Sequence, residues 1–220
     1  MIELKNVSKF FRTKQGKKYI LKDMSIVIPS KKNIGILGRN GTGKSTIMRM
    51  LGQIEFPNKG SITSSQSFSW PLGLSSGFVG NMSAKSNVKF VCRLYGKSQK
   101  EIIKVVNFVK EFSELGDYFE MPIKTYSSGM KARLSFGLSL SFDFDYLLID
   151  ETLSVGDAKF RKKSKEALLT KIEKCNVLLV SHDMGTLRDI CDVGIVVDNG
   201  KVKYFDNIDG AIDEYARINK

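Results

Sequence analysis

This 220-residue chain has few of the residues that build soft-metal sites or covalent cross-links: one histidine, His182, and three cysteines, Cys92, Cys175 and Cys191. The cysteines form no C-x-x-C pair and are odd in number, which argues against a disulfide framework. With a single histidine beside them a zinc site is not expected, and a reducing cytoplasm is the default compartment. No run of 18 uncharged apolar residues occurs, so no segment is expected to span a membrane. Met1-Ile2-Glu3-Leu4-Lys5 lacks the apolar stretch of a secretory signal. Internal repeats, low-complexity tracts, arginine-rich runs, zinc fingers and RNP-like aromatic motifs are all missing. Acidic residues are in the minority, 23 against 35 Lys and Arg, for a net charge of +12. That balance favours anionic partners: nucleic acid, an anionic membrane surface or phosphate ligands. The excess is scattered in short clusters such as Lys17-Lys18, Lys31-Lys32 and Arg161-Lys162-Lys163. It fits a solvated lysine-rich surface first and a membrane-facing patch second, so charge alone decides nothing.

What the chain does carry is Gly38-Arg39-Asn40-Gly41-Thr42-Gly43-Lys44-Ser45-Thr46, a match to G-x-x-x-x-G-K-[S/T]. In that pattern the glycines let successive backbone N–H groups turn inward around a polyphosphate. Lys44 would reach the β- and γ-phosphates, and the Ser45 hydroxyl would ligate Mg²⁺. The apolar run Ile34-Gly35-Ile36-Leu37 leads in as a buried strand, and Ile47-Met48-Arg49-Met50-Leu51 leads out as a helix. Strand, glycine loop and helix N-terminus aim amides and a helix dipole at an anion.

At 42% hydrophobic composition the chain can bury one domain's core, with room for an inserted lobe. Residues 2–7 and 19–28 read as strands joined by a turn with Gly16 and several lysines, and another strand pair is expected near 61–63 and 66–70. From Ser83 to about Ser141 apolar residues recur at helical spacing, as in Val88, Val91, Cys92 and Tyr95. Strand–helix alternation then resumes: a strand at Tyr146–Ile149, a helix from Ala158, a strand at Val177–Val180, a helix from Met184, and strands at Ile195–Val197 and Val202–Phe205. The expected architecture is an α/β fold with a helical lobe of about 60 residues inserted into its core.

Tyr146-Leu147-Leu148-Ile149-Asp150-Glu151 is an apolar strand ending in two acids. A buried parallel strand would carry both to its C-terminal edge beside the glycine loop, where open α/β sheets hold ligands. Asp150 would hold the Mg²⁺ shell and Glu151 would polarise the attacking water. Val177-Leu178-Leu179-Val180-Ser181-His182 has the same character. Both strands are expected to neighbour the Ile34–Leu37 strand, which would put His182 near a γ-phosphate as a hydrogen-bond donor. Tyr126-Ser127-Ser128-Gly129-Met130, ahead of Lys131-Ala132-Arg133-Leu134, reads as an N-cap with exposed amides and hence a second anion site.

In this order and spacing the four motifs resemble the nucleotide-binding subunit of ATP-binding-cassette transporters over essentially the full chain. The resemblance implies a P-loop NTPase fold of that type: a mixed sheet core with an antiparallel β subdomain and an inserted α-helical subdomain. Residues 1–82 and 142–220 would form the core with its N-terminal β subdomain, and about 83–141 the helical subdomain carrying the signature loop. Gly38–Thr46 would be the Walker A loop, with Gly38, Arg39, Asn40, Gly41, Thr42, Gly43, Lys44, Ser45 and Thr46 around ATP. Tyr126–Met130 resembles the signature loop, whose Ser128, Gly129 and Met130 would meet the nucleotide bound by a second copy. Tyr146–Glu151 resembles Walker B, with Asp150 and Ser45 at the metal and Glu151 catalytic. Ser154-Val155-Gly156-Asp157 resembles the D-loop and His182 the switch histidine. Phe11 falls where an aromatic stacks on adenine.

Two departures stand out: the signature reads Tyr-Ser-Ser-Gly-Met, and no glutamine lies between Gln66 and Gln99 where the family's Q-loop would supply one. The Ser-Trp-Pro-Leu segment from Ser69, the helix Asn87–Tyr95, Pro122–Met130 and Val155-Gly156-Asp157 look like capsular-polysaccharide exporters of Gram-negative bacteria. O-antigen and teichoic acid exporters share the style with an extra C-terminal domain, for which a chain ending at Lys220 is expected to have no room.

The resemblance implies an ATPase motor using ATP and Mg²⁺, peripheral on the cytoplasmic face of the inner membrane. Its partners would be a second copy, an integral membrane permease, and periplasmic and outer-membrane capsule-export proteins. A motor for another exported substrate stays open, because nothing in the chain touches cargo. A soluble cassette acting on nucleic acid is suggested only by the charge, and no nucleic-acid partner is expected.

Overall fold

The computed structural model describes residues 1–14, 16–72, 77–150 and 157–219. Glu151, Ser154-Val155-Gly156 and the stretch 73–76 of the Trp70–Phe78 segment lie outside the described residues. The chain divides into two compact units, one drawn from Met1–Pro71, Phe144–Glu151 and Lys174–Lys220, the other from Leu72–Asp143 and Thr152–Glu173.

In the first unit β1 (Ile2–Thr13) and β2 (Gly16–Ile28) form an antiparallel hairpin whose register runs from Ile2 opposite Ile28 to Thr13 opposite Gly16. Both strands outrun the expected 2–7 and 19–28. Lys17 and Lys18, expected in the turn, lie in the ladder, and the tip is closed by the Thr13 hydroxyl donating to the Gly16 carbonyl at 2.8 Å. A third strand, β4 (Lys59–Ser64), pairs with the other edge of β1.

The second sheet contains β3 (Ile34–Gly38), β5 (Tyr146–Asp150), β6 (Asn176–Val180), β7 (Val193–Asp198) and β8 (Lys201–Phe205) in the order β5-β6-β3-β7-β8. The first four are parallel and β8 is antiparallel. Near-continuous burial along the parallel strands explains why their sequences are unbroken apolar runs. Ile34, Ile36, Leu148, Leu178, Val180 and Ile195 share one core with Ile2, Leu4 and Leu21 of the antiparallel sheet.

Two expectations are corrected here. The Asp150 strand does not neighbour the strand that feeds the glycine loop, because β6 pairs with both and lies between them. Nor do residues 66–70 form a strand: only Phe68 bridges, in parallel, to Tyr146. Two backbone bonds make that bridge, Tyr146 N–H to the Ser67 carbonyl at 3.0 Å and Ser69 N–H to the Tyr146 carbonyl at 2.9 Å, and serine side chains reinforce it. The Ser67 N–H and hydroxyl donate to the Asp145 carboxylate at 2.7 and 2.8 Å, holding that carboxyl below the usual range, while the Ser69 hydroxyl accepts from the Leu148 N–H at 2.9 Å.

The helices α1 (Lys44–Leu51), α6 (Met184–Ile190) and α7 (Ile208–Ile218) also belong to this unit. Helix α7 was legible but not anticipated: Asn207 caps it, accepting from Gly210 N–H at 2.7 Å, and Ile208, Ala211 and Ile212 fall on its buried face. It sits so close to β7 that a Cβ on Gly194 would lie 2.2 Å from that of Ala211.

The second unit holds α2 (Ala84–Leu94), α3 (Gln99–Ser113), α4 (Ser128–Leu140) and α5 (Ala158–Ile172), so it takes in a helix beyond the expected 83–141. Ser83, Ser98, Ser127 and Asp157 supply the N-caps. The core is aromatic, with the Phe112 ring 6.0 Å from Phe136 and 5.6 Å from Phe160. Buried Asn87 folds residues 79–83 onto α2. Its amide donates to the carbonyls of Val79, Met82 and Ser83, and its carbonyl accepts from Val79 N–H at 2.8 Å. The three carbonyls also accept from the Met82, Ile123 and Asn87 N–H groups, so Asn87→Leu would take the acceptor from the Val79 N–H alone, an expected loss of about 1–3 kcal/mol read as a lower urea midpoint.

Candidate functional site

The glycine loop links β3 to α1. Gly43 precedes the helix at φ 106°, and a Cβ there would lie 2.1 Å from Ile20 Cγ2, so the loop tolerates only glycine at this point. Gly43 provides no side-chain cap, which leaves the first-turn amides of α1 for an anion. Lys44 is buried and lies back across the loop, its ammonium donating to the Gly38 carbonyl at 2.8 Å and the Arg39 carbonyl at 3.2 Å. The Arg39 carbonyl also accepts from the Thr42 N–H at 3.3 Å and the Thr42 hydroxyl at 2.8 Å, which closes the turn.

Asp150 reaches this place from the end of β5. It lines one open cleft of about 360 Å³ together with Asn40, Gly41, Gly43, Lys44, Ser45 and Thr46. Although β5 is one strand removed from β3, parallel alignment delivers its carboxyl end to the same edge of the sheet. The strand between them delivers His182, whose Nε2 lies 3.0 Å from Asn40 Oδ1. One sheet edge thus gathers an ammonium, helix amides, a hydroxyl, a carboxylate and an imidazole. That set can hold a polyphosphate and the hard cation that accompanies it.

Behind the loop a second cleft of about 470 Å³ is lined by Lys18, Tyr19 and Ile20, by Arg39–Thr42, and by Asp198, Asn199 and Gly200 of the β7–β8 turn. Phe11 lines neither cleft. It stands opposite Lys18 in the hairpin, 47% exposed, with the Lys9 ammonium 5.7 Å from its ring centre. The aromatic beside the loop is Tyr19, whose ring is 5.3 Å from Phe10. Sequence reading missed it because hairpin register, not spacing, decides which aromatic faces the loop.

The other candidate residues lie in the second unit. Ser127 caps α4 by accepting from Met130 N–H at 3.2 Å, so that amide is already engaged, while Ser128 is exposed and Gly129 partly exposed on the helix's first turn. Buried Tyr126 anchors the approach, its hydroxyl donating to the Tyr118 carbonyl. Asp157 caps α5, accepting from Phe160 N–H at 2.9 Å, and pairs with Arg133 at 2.9 Å. The Phe160 N–H, then the guanidinium, hold its carboxyl below the usual range. Burial pushes the Cys191 thiol up to about 12 and raises that of Cys92.

A model of the ABC transporter family matches residues 21–154. The chain is 48% identical over 98% of its length to the polysialic acid transport ATP-binding protein KpsT of Escherichia coli, covering 96% of that protein. It is 44% identical, over all of both chains, to the ATP-binding protein BexA of Haemophilus influenzae. Its fold matches, with a TM-score of 0.74 and 20% identity, a dimeric post-hydrolysis state of the ATP-binding cassette MJ0796 bound to ADP and Pi, covering 93% of this chain and 98% of that one.

Proposed function

The chain belongs to the ABC transporter family, and on that premise we propose that it is the ATP-hydrolysing motor subunit of an exporter of capsular polysaccharide across the inner membrane. The observation that carries the reading is the convergence of Lys44, Ser45 and Asp150 in one cleft below the uncapped start of α1. Likeness to KpsT and BexA over nearly the whole chain supports the choice of cargo class.

The triphosphate is held by the amides from Gly41 to Thr46, and Lys44 exchanges its carbonyl partners for phosphate oxygens. The Ser45 hydroxyl and the Asp150 carboxylate are hard oxygen donors on one cleft wall, and they would hold Mg²⁺. The chemistry such an ion would supply there is neutralisation of charge on the phosphate oxygens. Glu151, one residue beyond β5, takes the proton of the attacking water. His182 turns from Asn40 to donate to the γ-phosphate. Phosphoryl transfer of this kind depends on positioning and electrostatics, so a half-built site is slow.

Completion comes from a second copy, whose Ser128, Gly129 and Met130 close on the γ-phosphate and whose Asp157 region flanks the seam. ATP then holds two chains together, and hydrolysis separates them. The helical lobe, about 83–141 with its signature loop, meets an integral membrane permease, which keeps the chain peripheral on the cytoplasmic face. Periplasmic and outer-membrane capsule-export proteins complete the path.

Adenine rests on an aromatic of the hairpin. Phe11→Ala is expected to raise the KM for ATP about 5- to 100-fold, the range of base–aromatic stacking. An unchanged KM passes that role to Tyr19, tested by Tyr19→Ala. The function as a whole is tested by co-purification: a stoichiometric integral membrane protein with ATP-stimulated export is the expected result, and RNA in its place would overturn it.

A further inference from the structure

Arg39 sits second in the glycine loop, where a guanidinium could reach phosphate, yet it is turned the other way. Its Nε donates to Asn219 Oδ1 at 2.8 Å and its Nη2 donates to the Ile218 carbonyl, contacts that join residues 180 and 179 positions apart. Asn219 is the C-cap of α7, and its own amide donates to the Tyr215 carbonyl at 3.0 Å. The terminal carbonyls of a helix have no partner within it, and a cation there meets the negative end of the dipole. Arg39 satisfies both demands with a rigid planar fork.

The other end of the same residue shapes the loop. The Arg39 carbonyl accepts from Lys44, from the Thr42 N–H and from the Thr42 hydroxyl. Helix α7 is itself firmly seated, with Ile208, Ala211 and Ile212 buried and its backbone brought close to β7 at Gly194. The neighbouring cations are occupied elsewhere on the helix: Arg217 and Lys203 both pair with Glu214, whose carboxyl they hold at about 2.

We infer that the end of α7 is a tether for the phosphate-binding loop, with Asn219 and the Ile218 carbonyl acting as positioning groups through Arg39. Loop order that ATP would otherwise impose on binding is supplied in advance by the helix. The inference rests on the ATP-binding reading for its consequence but not for its geometry.

Asn219→Ala is expected to raise the KM for ATP about three- to tenfold with kcat within about twofold of the parent. Asn219→Asp, which keeps the acceptor, restores the parental KM. Arg39→Ala raises KM likewise, and the double variant is no worse than Arg39→Ala alone. A parental KM in Asn219→Ala, with or without a lower Tm, overturns the tether, as do independent effects that multiply in the double variant. Amide exchange at Thr42 reads the tether without nucleotide: faster exchange in Asn219→Ala supports it and equal exchange overturns it. A parent chain that binds no ATP, together with faster Thr42 exchange in Asn219→Ala than in that parent, would sink the motor reading and leave the tether standing.

Discussion

Glu151→Gln is expected to lower ATP turnover by about 10²- to 10⁴-fold, the usual contribution of a positioned general base. Nucleotide affinity should change little, because the amide keeps the size of the side chain and loses only its ability to take a proton. The variant therefore separates binding from chemistry, and steady-state hydrolysis beside equilibrium binding reads the two. Parental turnover would remove Glu151 from the reaction and turn attention to His182, which occupies the adjoining strand end and already meets the glycine loop through Asn40.

Lys44→Ala acts on the other half of the problem. The lysine is 7% exposed and its ammonium is satisfied by two loop carbonyls, so the charge is held over the cleft before any ligand arrives. Its removal deletes a charge-assisted bond to phosphate and leaves the Gly38 carbonyl without this donor. A contact of that kind is worth about 1.5–3 kcal/mol, so ATP affinity should fall about 10- to 100-fold. Titration with a fluorescent ATP analogue checks this, and far-ultraviolet circular dichroism checks that α1 survives. Unchanged affinity would mean that the backbone amides alone hold the phosphates.

The parts of the site that were legible in the sequence are those written in contiguous residues. Gly38–Thr46 announces its turn through glycines at positions that only glycine fits, as Gly43 against Ile20 illustrates. Strands such as Leu147–Asp150 and Val177–Val180 declare themselves by burial on both faces, which removes polar residues from the run. Pairing between distant segments left no such trace. Nothing in either run says that β6 separates β5 from β3. Ser67 and Ser69 read as strand residues, yet the pairing stops at one bridge to Tyr146 that their side chains reinforce. The aromatic beside the loop depended on a hairpin register set at Thr13 and Gly16, and the Arg39 contact spans nearly the whole chain. Motif chemistry is local, whereas its support is not.

That distinction bears on the departures from the family pattern. The segment that resembles the signature loop has an N-cap at Ser127 and an accessible first turn at Ser128 and Gly129, so the proposed anion contact does not depend on the family's usual glycine and glutamine. Arg133 and Asp157 tie α4 to the start of α5 within one unit.

The central claim is that one chain holds half of a hydrolytic site and a second copy the other half. Light scattering of purified Glu151→Gln with saturating ATP tests it most directly. The predicted result is the mass of two chains with ATP, reverting to one with ADP. A single-chain mass with ATP bound to every molecule would contradict it.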